Sequence, residues 1–261
     1  MAIGDHYCKL WDNLLLKFFL RYFGSFDLHS KIRLKPVIKY IKNRFKRLKN
    51  PLKILDFGCG DGIMLFELEK IFIEYYYYGY DNDKNLIDTA VNVSKKYSLN
   101  NKSSFYPYNI NDYEEFPGKS KEKYDMVLLL DILEHLENPG KLLKSLLPSL
   151  KRNSYILVSV PSPNYKSVFG KKFHKSIGHK INGYNIENLS ALFSLDNFEL
   201  VYSKYNTGLF SNVGCFLYYR IHFENKYLMY FKSILLHFFS YLDFFNNEKL
   251  SCSLFAVYKI I

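Results

Sequence analysis

The segment Ile54-Leu55-Asp56-Phe57-Gly58-Cys59-Gly60-Asp61-Gly62 constrains the chain more than any other. A short apolar run meets an acidic residue and passes through glycines at alternate positions. It then gives way to Asp61–Ile73, where Met64, Leu65, Leu68 and Ile71 recur at helical spacing. This reads as strand, turn, helix. Gly58 and Gly60 let the backbone turn sharply and approach a ligand with no Cβ between them, and the following helix offers free N–H groups. Several nucleotide-like ligands suit such a loop, but not all. A phosphate loop needs Gly-Lys-Ser/Thr, which is absent, and the dinucleotide fingerprint needs a glycine where Ile63 stands. Asp56 and Asp61 would repel a pyrophosphate and attract a cation.

Around this loop the pattern alternates. Lys53–Phe57, Tyr75–Tyr80, Ser104–Tyr108, Tyr124–Leu130 and Tyr155–Val160 read as short buried strands, the Tyr75–Tyr78 run having one wet edge. Asp61–Ile73, Asp83–Tyr97 and Pro139–Leu150 read as helices between them. The alternation predicts a parallel sheet with helices on both faces. Right-handed crossovers then set the carboxyl ends of the strands along one edge, where ligands bind. After Pro161-Ser162-Pro163 the pattern changes to a helix over Ile186–Leu195, capped by Asn185, and strands over Phe198–Tyr205 and Ser251–Lys259. Between those strands lies an aromatic and aliphatic insertion, Asn206–Lys249. Ahead of the loop, Ile32, Val37, Ile38, Ile41, Phe45 and Leu48 recur among basic residues, with Pro36 near the start of the pattern, where a helix tolerates it. The expected organisation is a helical extension or lid over residues 1–50 and one domain over 51–261 that includes the insertion 206–249.

The loop resembles the first motif of class I S-adenosylmethionine-dependent methyltransferases, apolar-Leu-Asp-apolar-Gly-Cys-Gly-x-Gly. The resemblance spans residues 50–205 and the last strand. It implies an α/β, Rossmann-like fold: a mostly parallel seven-stranded sheet flanked by helices. It also implies S-adenosylmethionine as cofactor and S-adenosylhomocysteine (SAH) as product, held by Asp56, Gly58, Cys59 and Gly60. Asp81, followed by Asn82, matches the family's acidic residue that takes both ribose hydroxyls; a carboxylate can accept two hydrogen bonds from a vicinal diol. Asn109 stands where the family often has an acidic residue reaching the adenine amino group. Its amide oxygen could accept that bond, with Ile110 beside it. Asp131 and Ile132 fall where the family lines the methionine part. Leu133-Glu134-His135, the Val160–Asn164 turn and Gly178-His179-Lys180 resemble the family too. The Leu-Glu-His type occurs among small-molecule O-methyltransferases, including quinone-precursor, sugar and polysaccharide enzymes. The Asn/Asp-Pro-Pro-Tyr/Phe motif of enzymes acting on DNA bases or protein glutamine is replaced here by Asp131–Glu134.

A sulfonium is already activated, so methyl transfer chiefly needs proximity and a dry, shaped site. An oxygen acceptor must still lose a proton, and His135 and His179 are the candidate bases. Glu134, His135 and His179 could instead hold a divalent metal, but their spacing is loose and no further carboxylate is obviously placed, so no metal is expected.

The net charge of +11 favours an anionic partner: nucleic acid, a phosphorylated small molecule or a membrane surface. A solvated helix face is the preferred explanation, since much of the excess lies within Lys31–Lys53. Cys8, Cys59, Cys215 and Cys252 form no CxxC or other paired spacing, which fits a reducing compartment. The apolar run Leu14–Leu20 is broken by Lys17 and has no cleavage site, and nothing reaches the ~18 apolar residues of a membrane span. A cytoplasmic location is expected. In the insertion, Leu228, Phe231, Leu235, Phe238, Leu242 and Phe245 recur every three or four residues. They read as a helix packed on the core or on a second copy in a homodimer, or as a greasy wall for a lipid acceptor at a membrane surface. The basic run Lys166–Lys175 could meet a phosphate. The expected acceptor is a small molecule, sugar or lipid-linked compound, with anionic character accommodated. The alternatives are an RNA acceptor, against which stands the lack of an RNA-binding module, and a non-catalytic S-adenosylmethionine-binding protein.

Overall fold

A computed structural model describes residues 28–48, 50–109, 123–194, 198–221, 228, 231–232, 234–236, 242–243 and 248–261. Cys8, Leu14–Leu20, Ile110, Phe238 and Phe245 lie outside the described residues. The described elements begin with helix α1 (Leu28–Phe45), and then β1 (Leu52–Phe57), α2 (Ile63–Glu69), β2 (Tyr75–Asp81), α3 (Lys84–Lys96) and β3 (Ser103–Pro107) follow. Next come β4 (Tyr124–Leu130), α4 (Pro139–Leu146), β5 (Leu150–Pro161), the short helices α5 (Asn164–Phe169) and α6 (Lys171–Ser176), and α7 (Ile186–Phe193). The chain closes with β6 (Phe198–Tyr205), α8 (Leu209–Arg220) and β7 (Ser253–Ile260).

The seven strands form one sheet in the order β3-β2-β1-β4-β5-β7-β6. β1 to β5 run parallel, and β7 lies antiparallel to both β5 and β6. This is the expected mostly parallel, Rossmann-like arrangement. The chain winds outward from β1 to β3 and then crosses back to place β4 on the other side of β1. The order therefore reverses between β1 and β4, and a crevice opens at their carboxyl ends.

Both faces of the sheet are covered, which is why its central strands read as continuous apolar runs rather than alternating ones. Leu55, Phe57, Val127, Leu129 and Val158 pack with Leu142, Leu143 and Leu146 of α4 and Leu189 and Phe193 of α7. On the other face, Ile54, Met126, Leu128 and Val257 pack with Val37, Ile41 and Phe45 of α1 and Met64, Leu65 and Leu68 of α2. Each such large side chain contributes about 1.5–3 kcal/mol when fully buried, so α1 is held firmly to the cofactor-loop face.

Several boundaries move for identifiable reasons. Helix α2 starts at Ile63, not Asp61, because Gly62 is left-handed at φ 82. Helix α4 stops at Leu146; Leu147–Ser149 tighten into a 3-10 turn around Pro148, and β5 starts at Leu150 rather than Tyr155. The basic run at 166–175 contains α5 and α6, two helices that its periodicity did not announce. Asn185 does cap α7, accepting the Asn188 N–H at 2.9 Å. Within the insertion, Asp243 accepts the N–H groups of Gly208, Phe210 and Ser211 at the start of α8. Lys232 donates to the Tyr218 and Ile221 carbonyls at its end. Among the described residues no helix is long and apolar enough to cross a membrane.

Candidate active site

At the crevice between β1 and β4 lies a cavity of about 260 Å³ whose lining includes Arg33, Asp56, Gly58, Gly60, Asp61 and Asp131. The loop after β1 forms one wall. Gly58 and Cys59 donate their N–H groups to the Tyr80 carbonyl at 2.7 and 3.0 Å. The Asp81 carboxylate receives the Gly60 N–H on one oxygen and the Asp83 N–H on the other, both at 2.9 Å. Asp81 thus fixes the loop and the start of α3 together, and each oxygen keeps a second acceptor site for a diol. Two glycines differ in what they are for. Gly58 has φ +82, and a Cβ there would stand 2.0 Å from the Ile132 side chain. Gly60 has φ +54, and no atom lies within 4 Å of where its Cβ would be. Gly58 serves the protein's own packing, whereas Gly60 faces open space. Asn82 and Asn109 are exposed at the ends of β2 and β3.

The floor of the cavity is acidic. Asp56 is 2 % exposed and accepts the Tyr77 hydroxyl. Burial pushes its carboxyl up to about 7; the Tyr77 hydrogen bond pulls it down, and Asp81 pushes it up. Burial, Asp56, Asp81 and Asp61 together push the Cys59 thiol up, so it stays protonated and packs as a small apolar group. A cationic ligand is the natural complement of this floor, and the open space at Gly60 gives it room. A ligand with a ribose, a sulfonium and an ammonium fits these residues.

The opposite wall follows β4. Asp131 holds φ 59, a left-handed conformation that a non-glycine residue adopts rarely and at some cost in strain. Its N–H donates to the Ser159 carbonyl at 2.8 Å. Its carboxylate pairs with Arg33, which also lies 3.7 Å from Glu134 Oε1. Arg33 comes from α1 and is 6 % exposed. One guanidinium thus faces two carboxylates, Glu134 shielded from water and Asp131 half-buried at the cleft. Burial, and then Asp131, raise Glu134 to about 8, burial raises Asp131 to about 6, and Arg33 pulls both down. Glu134 is wholly buried, and its side-chain oxygens accept no hydrogen bond from the described residues.

Sequence reasoning missed Arg33, treating it as part of a diffuse basic run. The available signal was positional. Arg33 shares the i, i+4, i+8 stripe of α1 with Val37 and Ile41. A charged residue on an apolar stripe has to reach a buried partner.

The structure brings the two histidines together. The Glu134 carbonyl accepts the Lys180 and Ile181 N–H groups, tying the 178–181 loop to the turn after β4. The His135 ring Nδ1 lies 3.3 Å from the Gly178 carbonyl. The rings of His135 and His179 meet edge to face at 4.8 Å, and His174 meets His179 at the same distance. His179 is the deeper: its side chain is 3 % exposed and its Nε2 is 3.9 Å from Glu134 Oε1. Burial, then His135, His174 and Arg33, pull His179 down to about 3, and burial lowers His135. Both imidazoles are therefore neutral near pH 7, and His179, so far lowered, is a weak proton acceptor. The ligand atoms of Glu134, His135 and His179 all lie within 4.8 Å of one another, a grouping that could also hold a metal ion.

A family model described as a methyltransferase domain matches residues 29–203. The ubiquinone biosynthesis O-methyltransferase of Hydrogenovibrio crunogenus is 27% identical over 145 residues, 56% of this chain and 55% of that protein. Its Rickettsia typhi counterpart is 28% identical over 149 residues, 57% of this chain and 56% of that protein. The chain therefore spans little more than half the length of these relatives. Among solved structures, the plantazolicin methyltransferase BpumL in complex with SAH superposes with a TM-score of 0.56 at 20% identity, covering 99% of this chain and 94% of that one. The [4+2]-cyclase SpnF superposes at 0.59 with 14% identity, covering 89% of this chain and 82% of that one. The family match includes α1 and its Arg33, the glycine loop, Asp81 and the Glu134–His179 cluster, and by it the chain belongs to the methyltransferase-domain family, on the class I S-adenosylmethionine-dependent fold.

Proposed function

We propose that this protein transfers a methyl group from S-adenosylmethionine to an oxygen of a small-molecule acceptor. The observation that carries the reading is the cleft floor: buried Asp56 beside open space at Gly60, with Asp81 locked at the rim. Asp56 would face the cationic amino-acid portion of the cofactor, Asp81 its ribose diol, and Asn109 and Ile110 its adenine, with Gly58, Cys59 and Asn82 shaping the pocket around it. Arg33 lines the same cavity beside its partner Asp131 and would offer a further N–H to the cofactor carboxylate. The bound cofactor supplies an activated methyl group; the protein orients the acceptor, excludes water and takes a proton. His135, on the turn after β4, is the candidate base, with His179 packed behind it.

The relatives named for ubiquinone biosynthesis suggest a phenolic or lipid-linked acceptor. Exposed apolar side chains support a lipid-facing side, since Leu209, Phe210, Leu228, Phe231 and Leu235 are 42 to 64% exposed on the insertion. Peripheral contact with an anionic membrane would follow. The test is to incubate the protein with isotopically labelled S-adenosylmethionine and a cell lipid extract, then profile the products. Label should enter one O-methylated compound, and His135→Ala should lower the rate about 100-fold while SAH binding is kept. Label entering bulk RNA instead would move the acceptor to nucleic acid.

A second reading of the same histidines rests on Glu134, whose buried oxygens have no hydrogen bond among the described residues while both imidazoles stand within 4.8 Å. A divalent ion there would neutralise the carboxylate that Arg33 only shares, and could bind an acceptor oxygen directly. Full activity after exhaustive chelation would dismiss it.

A further inference from the structure

Strand β2, which carries Asp81, also sends a hydroxyl beneath the cleft. Tyr77 pairs with Ile54 of β1, and the next residues on that face, Asp56 and Gly79, pair with each other. Tyr77 and Asp56 therefore share one face of the sheet. The Tyr77 side chain is 1 % exposed, in a cluster with Ile54, Cys59, Met64 and Met126, and its ring tilts against Phe105 at 5.6 Å. Gly79 lets the structure close over the pair. A Cβ there would meet Phe105 at 2.7 Å and Cys59 Sγ at 2.8 Å.

A tyrosine hydroxyl in such a cluster needs a partner, and Asp56 is the one it has. The groups around Asp56 are Tyr77 and Asp81 on β2, Cys59 and Asp61 on the loop, and apolar Met126 and Leu128 on β4. Across the cleft, Arg33 is already engaged by Asp131 and Glu134. Asp56 thus has one hydrogen-bond donor among the described residues and acidic neighbours, and the cation that would complete it has to come with the ligand.

We infer that Tyr77 is a positioning residue that keeps Asp56 ionised and turned to the ammonium of the cofactor, making affinity for the amino-acid end of the ligand proton-linked; this rests on the cofactor reading above. Without ligand, burial holds Asp56 near neutral pH. A bound cation lowers it, so binding releases a proton there. Removing the hydroxyl takes away an interaction that favours the charged form, so less Asp56 is ionised at pH 7.

The test is calorimetry on the whole chain with two ligands: SAH, which carries the ammonium, and 5′-methylthioadenosine, which has the adenosine end but no amino acid. Tyr77→Phe should bind SAH about fivefold more weakly near pH 7, because one unit of carboxyl shift cuts the ionised fraction of Asp56 from about a half to about a tenth, and recover towards wild type near pH 9. Its affinity for 5′-methylthioadenosine should not change. Asp56→Asn should weaken SAH at every pH and flatten the profile. An equal loss for both ligands, or a pH-independent loss in Tyr77→Phe, overturns the inference and leaves the hydroxyl a packing role. If Tyr77→Phe loses its melting transition, the wild type carries the test through buffers of different ionisation enthalpy. Proton release with SAH but not with 5′-methylthioadenosine supports the inference, and no release overturns it. A wild type that binds neither ligand overturns the cofactor reading itself.

Discussion

Arg33 fastens α1 to the far wall of the cleft through Asp131 and Glu134. Replacing it with leucine leaves the buried Glu134 carboxylate unpaired beside a half-buried Asp131, and stranding a buried charge in this way costs about 3 kcal/mol. Urea unfolding of Arg33→Leu should show a loss of that size, together with weaker SAH binding. The same residues set a pH dependence whose sign follows from their shifts. Asp56 and Glu134 are raised to about 7 and about 8, so the folded state holds their protons more tightly than the unfolded chain. Stability from this source is complete below the ordinary carboxylate range and is lost as pH rises through those values. His135 and His179 are lowered, so their contribution is present above about 6.5 and is lost on acidification. The carboxylates therefore dominate between about pH 6.5 and pH 7.5; above that Lys31, lowered by burial and Lys35 to about 8, gives up its proton in the folded state and opposes them. In that window the melting temperature of the ligand-free protein should fall, and Glu134→Gln should flatten the slope. At this scale the sequence showed Asp56, Asp81 and both histidines as chemically useful, but not their partners. The Arg33 and Tyr77 contacts join different elements, so the stripe that marks Arg33 as needing a buried partner does not name that partner, and local spacing marks nothing at Tyr77.

At the scale of elements, the strand–loop–helix unit is the part most legible in the sequence. Its two glycines make separable predictions. Gly60→Ala puts a left-handed alanine into open space, costing about 1 kcal/mol in stability. It should nevertheless reduce SAH affinity well beyond that cost, because the new methyl group occupies ligand space. Gly58→Ala drives a Cβ into Ile132 and should instead lower the urea midpoint markedly. A Gly60→Ala protein that binds SAH normally would place the ligand elsewhere. The elements that escaped the sequence have physical reasons. Helices α5 and α6 are six residues each, too short to display a period. β5 begins among polar residues that follow Pro148, where no apolar run announces it. Helix α8 has apolar residues on both faces, Cys215 inward and Leu209 and Phe210 outward, so no single stripe marks it.

For the whole molecule, alternating strands and helices implied a parallel sheet, and the motif resemblance supplied seven strands. Local pattern alone could not give the placement of β7 between β5 and β6, because that pairing is between residues far apart in sequence. The reversal between β1 and β4 brings Asp56, Asp61, Asp131 and Arg33 around one cavity, with Asp81 holding the Gly60 N–H of its lining. The fold does not by itself choose a reaction, since a [4+2]-cyclase superposes on it as well as methyltransferases do. What distinguishes the account is that this cleft takes the methyl donor, and equilibrium binding of SAH tests that most directly. Calorimetry should find one SAH per chain, with Asp81→Ala weakening it at least tenfold, about the effect of losing one charge-assisted hydrogen bond to the ribose. No binding by the wild type, or binding that Asp81→Ala leaves unchanged, would contradict the account.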